Sequence, residues 1–129
     1  MIIKRDDAKA TPLPDGGKRE LERTGGMREP AEEKGCYELI PPIMLHRLAL
    51  HYERGANKYA NRNWEKGLKD SRCFSSTIRH LYRWLAGDRT EDHLAAAIWN
   101  IAALMHYETY QPDEPERDLK MPWQRREWP

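Results

Sequence analysis

Four side chains in the middle of the chain, Glu53, His80, Asp92 and His93, are of the types that hold a divalent cation. Carboxylates and imidazoles together suit Mg²⁺ or Mn²⁺ first, with Zn²⁺ as a third option. An ion held this way can ready a water for attack on phosphorus. Each residue also has an ordinary structural role. Glu53 is a boundary carboxylate reaching water, and His80 is a hydrogen-bonded boundary histidine. Asp92, like Glu91 before it, is an acid that the helix dipole favours in a first turn. The four make a site only if separate helices carry them to one place.

Around them lie groups suited to a phosphorylated ligand. Arg28, Lys34, Lys58, Lys66 and Arg79 sit near helix ends or loops. Singly, such residues are solvated surface charges. Around a polyphosphate they would neutralise developing charge. His93, Ala97, Asn100 and Leu104 share one helix flank, and the small alanines leave room for a ligand beside Asn100. Asn100 could equally bridge two helices. Trp64, next to Asn63 in a polar loop, is placed either to stack on a base or to cap the end of a bundle.

Three helices must position these groups. The first follows Pro41-Pro42 and runs to about Tyr59, with Leu45, Leu48, Ala49, Tyr52, Ala56 and Tyr59 as its apolar stripe. Arg47, His51, Arg54 and Lys58 lie opposite. The second runs from about Ser71 to Ala86, with Phe74, Ile78, Leu81 and Leu85 as its seam and Gly87 as its stop. Cys73, Thr77, His80 and Trp84 form a side stripe beside that seam. The third is predicted to start at a capping box, Asp88-Arg89-Thr90-Glu91, and to end near Tyr107 or Glu108. Its seam is Leu94, Ala97, Ile98, Ile101, Leu104 and Met105, and alanines make its other sides apolar too. Such a helix is central. The fold class is therefore all-α, a small helical bundle.

The 129 residues allow one domain. Residues 1–23 read as a flexible N-terminal segment, 24–110 as the helical domain and 111–129 as a Pro-containing arm bearing Trp123 and Trp128. The low mean hydropathy, −0.97, comes mainly from the two ends. Lys plus Arg number 22 against 21 Asp plus Glu, so no net field draws a nucleic-acid polymer or an anionic membrane. No run approaches the ~18 apolar residues of a membrane span, and the N-terminus lacks the apolar stretch of a signal peptide. Cys36 and Cys73 have neither disulfide-framework nor zinc spacing. A cytoplasmic protein with reduced thiols is expected.

Several segments carry a resemblance. Gly26-Met27-Arg28-Glu29 and Lys34-Gly35-Cys36-Tyr37-Glu38-Leu39-Ile40-Pro41-Pro42 are similar to the opening of phage dATP/dGTP diphosphohydrolases of the MazZ type. Glu53-Arg54-Gly55-Ala56-Asn57-Lys58-Tyr59, Asn63-Trp64-Glu65-Lys66-Gly67, Arg79-His80-Leu81, Trp84-Leu85-Ala86-Gly87 and His93-Leu94-Ala95 follow in order, so the likeness covers about residues 24–108. It implies an all-α, MazG-like nucleotide pyrophosphatase that cleaves purine deoxynucleoside triphosphates to the monophosphate and pyrophosphate. In phages that replace adenine, the dGMP so made would feed 2-aminoadenine nucleotide synthesis. The resemblance also implies a homo-oligomer, dimer or larger.

One departure stands out. MazG-like enzymes carry a Glu-Glu-x-x-Glu set and a Glu-x-x-Asp set, whereas here the first helix offers Glu53 alone and Ala96 follows His93 by three. The expected site is therefore mixed. Glu53, His80, Asp92 and His93 are its metal ligands, with Glu53 and His80 as the catalytic residues. Arg28, Lys34, Lys58, Asn63, Trp64, Lys66, Arg79 and Asn100 are its substrate contacts, and Glu53→Gln should abolish turnover. Two rival functions remain, the first using His80, Asp92 and His93 and the second the tryptophan-bearing tail. One is a His/Asp metal phosphohydrolase releasing triphosphate, and the other is a non-enzymatic helical adaptor.

Overall fold

A computed structural model describes residues 15–121. The expected role of Trp123 and Trp128 lies outside those residues. The chain divides into two compact units, Met1–Leu39 and Ile40–Pro129. In the first, β1 (Glu20–Leu21) pairs antiparallel with β2 (Met27–Arg28), which sets Glu20 opposite Arg28. Opposite charges across a pair of strands attract. Gly25 supplies the left-handed backbone, φ +88°, that the tight turn between them needs.

The second unit holds α1 (Pro42–Lys58), α2 (Asp70–Leu85) and α3 (His93–Tyr110), with a short 3₁₀ turn at Asn63–Lys66. Proline at the start of α1 costs nothing, because its missing N–H would have had no helical partner. Two carbonyls of the loop after α1 are held by α3 and its C-cap. Tyr107 Oη donates to the Trp64 carbonyl at 2.6 Å, and Gln111 Nε2 donates to that of Glu65 at 2.9 Å.

The start of α2 has no cap of its own. Lys69 precedes it and offers no acceptor. Asp118 does so from 47 residues away, accepting from the Ser71 N–H at 2.8 Å and from the Ser71 hydroxyl. Beside it, Arg117 is buried, its guanidinium 4.2 Å over the Tyr107 ring and 2.9 Å from Asp70, and it donates to the Leu68 carbonyl. Residues 116–118 therefore pack against α2 and α3.

Where α3 starts corrects one expectation. Asp88 does not cap it: its carboxylate accepts from Thr90 N and Oγ1, at 2.9 and 2.7 Å, closing a local turn. Asp92 is the cap, accepting from Ala95 N at 3.1 Å. Both acids can cap, and a contact from α1 to Asp92 favours the second.

As expected, α3 is central and packs on both other helices. Four of its buried residues are alanines, Ala95, Ala96, Ala97 and Ala103, and the fully buried Tyr107 and Cys73 of α2 close off this apolar core. Small side chains let the helix axes come close. A second expectation reverses here. Phe74, Ile78, Leu81 and Leu85, read as the inward seam of α2, are exposed, while Cys73 and Thr77 of the side stripe are buried. Periodicity identifies an apolar face, but not what covers it.

Candidate functional site

The side stripe that turns α2 toward α3 also carries His80. Rings of His80 and His93 meet with their Nδ1 atoms 2.9 Å apart. Glu91 Oε1 lies 3.2 Å from His80 Nδ1 and 3.5 Å from His93 Nδ1. One ligand atom from each of the three falls within 4.8 Å of the others. Burial lowers the pKa of His80, with Glu91 opposing the shift. A neutral imidazole is the metal-binding form.

His93 is buried at its floor, and its other nitrogen, Nε2, faces Asp88 Oδ2 at 3.1 Å. The contact is close without reaching hydrogen-bond geometry. It favours the proton on Nε2 and leaves the Nδ1 lone pair pointing into the group. A carboxylate behind a ligating histidine is a common arrangement at metal sites. The Thr90 hydroxyl, ahead of other contacts, holds Asp88 down to about 2, so it stays an anion.

The expected four ligands do not assemble as a set. His80 and His93 come together. Asp92 is one residue from both Glu91 and His93, but Arg47 takes both of its oxygens, at 2.6 and 2.7 Å, and holds it down to about 2. Glu53 is exposed on α1 and belongs neither to the group nor to the cleft wall described next. Glu91 is the carboxylate that stands with the two histidines. As a helix-start acid it has an ordinary role in the sequence, and only the packing of α2 on α3 distinguishes it from Asp92.

His80, Glu91 and Asp92 stand at one end of a cleft of about 970 Å³. Its lining includes His51, Tyr52 and Arg54 from α1, Lys69, Arg72, Ser76 and Arg79 at α2, and Trp99 and Asn100 from α3. Among the expected substrate contacts, Lys58, Asn63, Trp64, Arg79 and Asn100 line it, and Lys66 does not. Arg28 and Lys34 belong to the first unit, where Lys34 pairs with Glu29 at 3.3 Å.

Asn100 is buried and donates to Ser76 Oγ at 3.2 Å and to the Ala96 carbonyl at 2.8 Å. It is at once the helix bridge and a cleft residue. Trp64 meets Tyr52 and His106 edge-on, with centroids 6.2 and 4.7 Å apart. Burial lowers the pKa of His51, whose ring lies 5.9 Å from Trp99.

Residues 24–117 match the family model described as dATP/dGTP diphosphohydrolase, N-terminal. The chain belongs to this diphosphohydrolase family. The matched stretch contains all three helices, the His80–Glu91–His93 group and the cleft, and it ends at Arg117. No curated protein and no solved structure matches the chain. A diphosphohydrolase family implies a nucleotide substrate. Among the described residues, no helix is long and apolar enough to cross a membrane.

Sequence reasoning passed over Arg72, Lys69 and Ser76. Arg72, Ser76 and Arg79 are spaced four and three apart, a signal for one helix face that was available. Asp88, Arg47 and Arg117 carried no such signal, because their partners lie on other elements.

Proposed function

We propose that the chain is a metal-dependent hydrolase of dATP and dGTP, releasing the nucleoside monophosphate and pyrophosphate. The observation that carries this reading is the group of His80, Glu91 and His93 at the end of a cationic, aromatic cleft. Two imidazoles and one carboxylate fit a borderline divalent ion, Mn²⁺ or Zn²⁺, better than Mg²⁺, which prefers oxygen ligands throughout. His80, Glu91 and His93 would hold it, with Asp88 orienting His93. When bound, the ion supplies Lewis acidity at the phosphoryl oxygens and a more acidic water.

The chain's own residues do the rest. Water attacks the α-phosphorus, the bond to the α–β bridging oxygen breaks, and pyrophosphate leaves with the electron pair. One Glu91 oxygen is in the group, and its second accepts the proton that the water gives up. Asn100 and Ser76 shape the floor, and Lys58, Asn63, Trp64 and Arg79 contact the substrate. The free thiols Cys36 and Cys73 accord with a cytoplasmic setting.

The working unit is a homo-oligomer, a dimer at least. Phe74, Ile78, Leu81 and Leu85 on α2, with Ile101 and Met105 on α3, are exposed apolar side chains. By helical spacing, both stripes lie on the side away from the cleft. A core of alanines, one cysteine and one tyrosine is small for a domain. A second copy laid on this face would complete a four-helix bundle and leave both clefts open.

The test is incubation with each common (d)NTP and Mn²⁺, Zn²⁺ or Mg²⁺, followed by product analysis. Pyrophosphate with dAMP or dGMP is the expected result. Release of intact triphosphate would turn the reading to the His/Asp phosphohydrolase class. Absence of turnover, metal binding and nucleotide binding would leave a helical adaptor.

A further inference from the structure

The cleft is far from neutral, although the chain as a whole carries a net charge of only +1. Six cations line it, Arg54, Lys58, Arg62, Lys69, Arg72 and Arg79, against three acids, Glu91, Asp92 and Glu116. Two of those charges are already engaged: Arg47 pairs with Asp92, and Glu65 pairs with Arg62. Arg72 and Arg79 have no ion pair among the described residues, and Lys69 has no contact pair, only a longer-range attraction to Asp118. Uncompensated charge in a concave wall focuses its field on whatever enters.

Their order along the helix matters more than their number. Arg79 precedes His80 directly. Ser76 and Arg72 follow on the same face toward the N-terminus, and Lys69 stands just before α2. At a rise of 1.5 Å per residue, Arg72 and Arg79 sit about 10 Å apart on the helix axis, and their long side chains can close on a chain of three phosphates. The Ser76 hydroxyl accepts from Asn100, so its own proton is free for an anion. At the far end the single lining acid is Glu116, whose carbonyl accepts from Asp70 N at 2.9 Å.

We propose that this face of α2 is a polyphosphate track. It fixes the direction of the ligand: the reacting phosphorus lies at His80, Glu91 and His93, and the distal phosphates run along Arg79 and Ser76 to Arg72 and Lys69, with Lys58 opposite on α1. The nucleoside is then directed away from this cationic end. Sugar and base sit across the cleft from the track, against His51 of α1 and Trp99 of α3. The direction rests on the proposed hydrolysis, whereas the track itself does not.

The experiment therefore separates the two. Isothermal titration of the full chain with pyrophosphate and with tripolyphosphate, in EDTA, reads the track without metal or turnover. Wild type should bind. Arg72→Gln and Lys69→Gln together should weaken binding roughly tenfold or more, and Arg72→Lys should recover part of it. Arg83→Ala, an exposed α2 control outside the cleft, should bind tripolyphosphate like wild type. All these changes are on the surface, and circular dichroism checks each fold.

In a parallel assay, the double variant should raise KM for dGTP, and Ki for product pyrophosphate, far more than it lowers kcat. Absence of tripolyphosphate binding by wild type, or equal binding by the double variant, overturns the track even if dGTP is hydrolysed. Loss of binding in the double variant, with no hydrolysis of any nucleotide by wild type, supports the track and removes the hydrolase reading.

Discussion

The two long sides of α2 differ in what they ask of a partner. One side shows the cleft Arg72, Ser76, Arg79 and His80, while the other shows bulk water Phe74, Ile78, Leu81 and Leu85. Between them a narrow strip, Cys73 and Thr77, is buried against α3. The first side has charge without counter-charge, and the second has apolar surface without cover. Each is costly alone, for different physical reasons: like-charge repulsion on one side, and exposed apolar area on the other. A helix that carries both is set to bind an anion on one side and another apolar surface on the other.

Perturbing the cleft side at its end should give the largest effect. His93→Ala removes a buried member of the group, so metal-dependent turnover should fall by more than a hundredfold while the fold survives by circular dichroism. Turnover near wild type would break the comparison, since the cleft would then have no reactive end. Asp88→Asn tests the carboxylate behind His93, and titration should show metal affinity weakened by about 10- to 100-fold.

The apolar side comes next. Ile78→Asp places a charge on the proposed interface, and sedimentation should show monomer, with a lower melting temperature that no longer depends on protein concentration. An unchanged oligomer would remove that side from the assembly. Arg117→Leu leaves the part-buried Asp70 without its cation and the Leu68 carbonyl without its donor, at an expected cost of about 1–3 kcal/mol in chemical unfolding.

The smallest effect is at the start of α2. Hydrogen bonds from Ser71, hydroxyl first, lower the pKa of Asp118. A carboxyl lowered in the folded state contributes stability above its free value, and loses it as pH falls through the lowered one. Asp118→Ala should therefore reduce the melting temperature by a few degrees at neutral pH, with the gap closing as pH falls through the lowered carboxylate range. A gap that persists there would assign the effect to packing. Glu53→Gln sharpens the same comparison from outside: the exposed position predicts unchanged metal affinity, and loss of turnover with an intact fold would return Glu53 to the chemistry.

Sequence periodicity alone determined that there are three helices, roughly where they run, and that the third is central, because apolar spacing and proline or glycine stops act locally. It also marked His80 and His93, whose types suit a metal wherever they stand. Tertiary structure alone decided that Glu91 joins them while Arg47 occupies Asp92, and that Asp118 caps a helix 47 residues away. The apolar seam of α2 marks the same boundary. Its spacing was legible, but whether it faces the core or a partner depends on which residues of α3 are small enough to approach. Local sequence sets what each face of a helix can bind; only packing selects which face meets which neighbour.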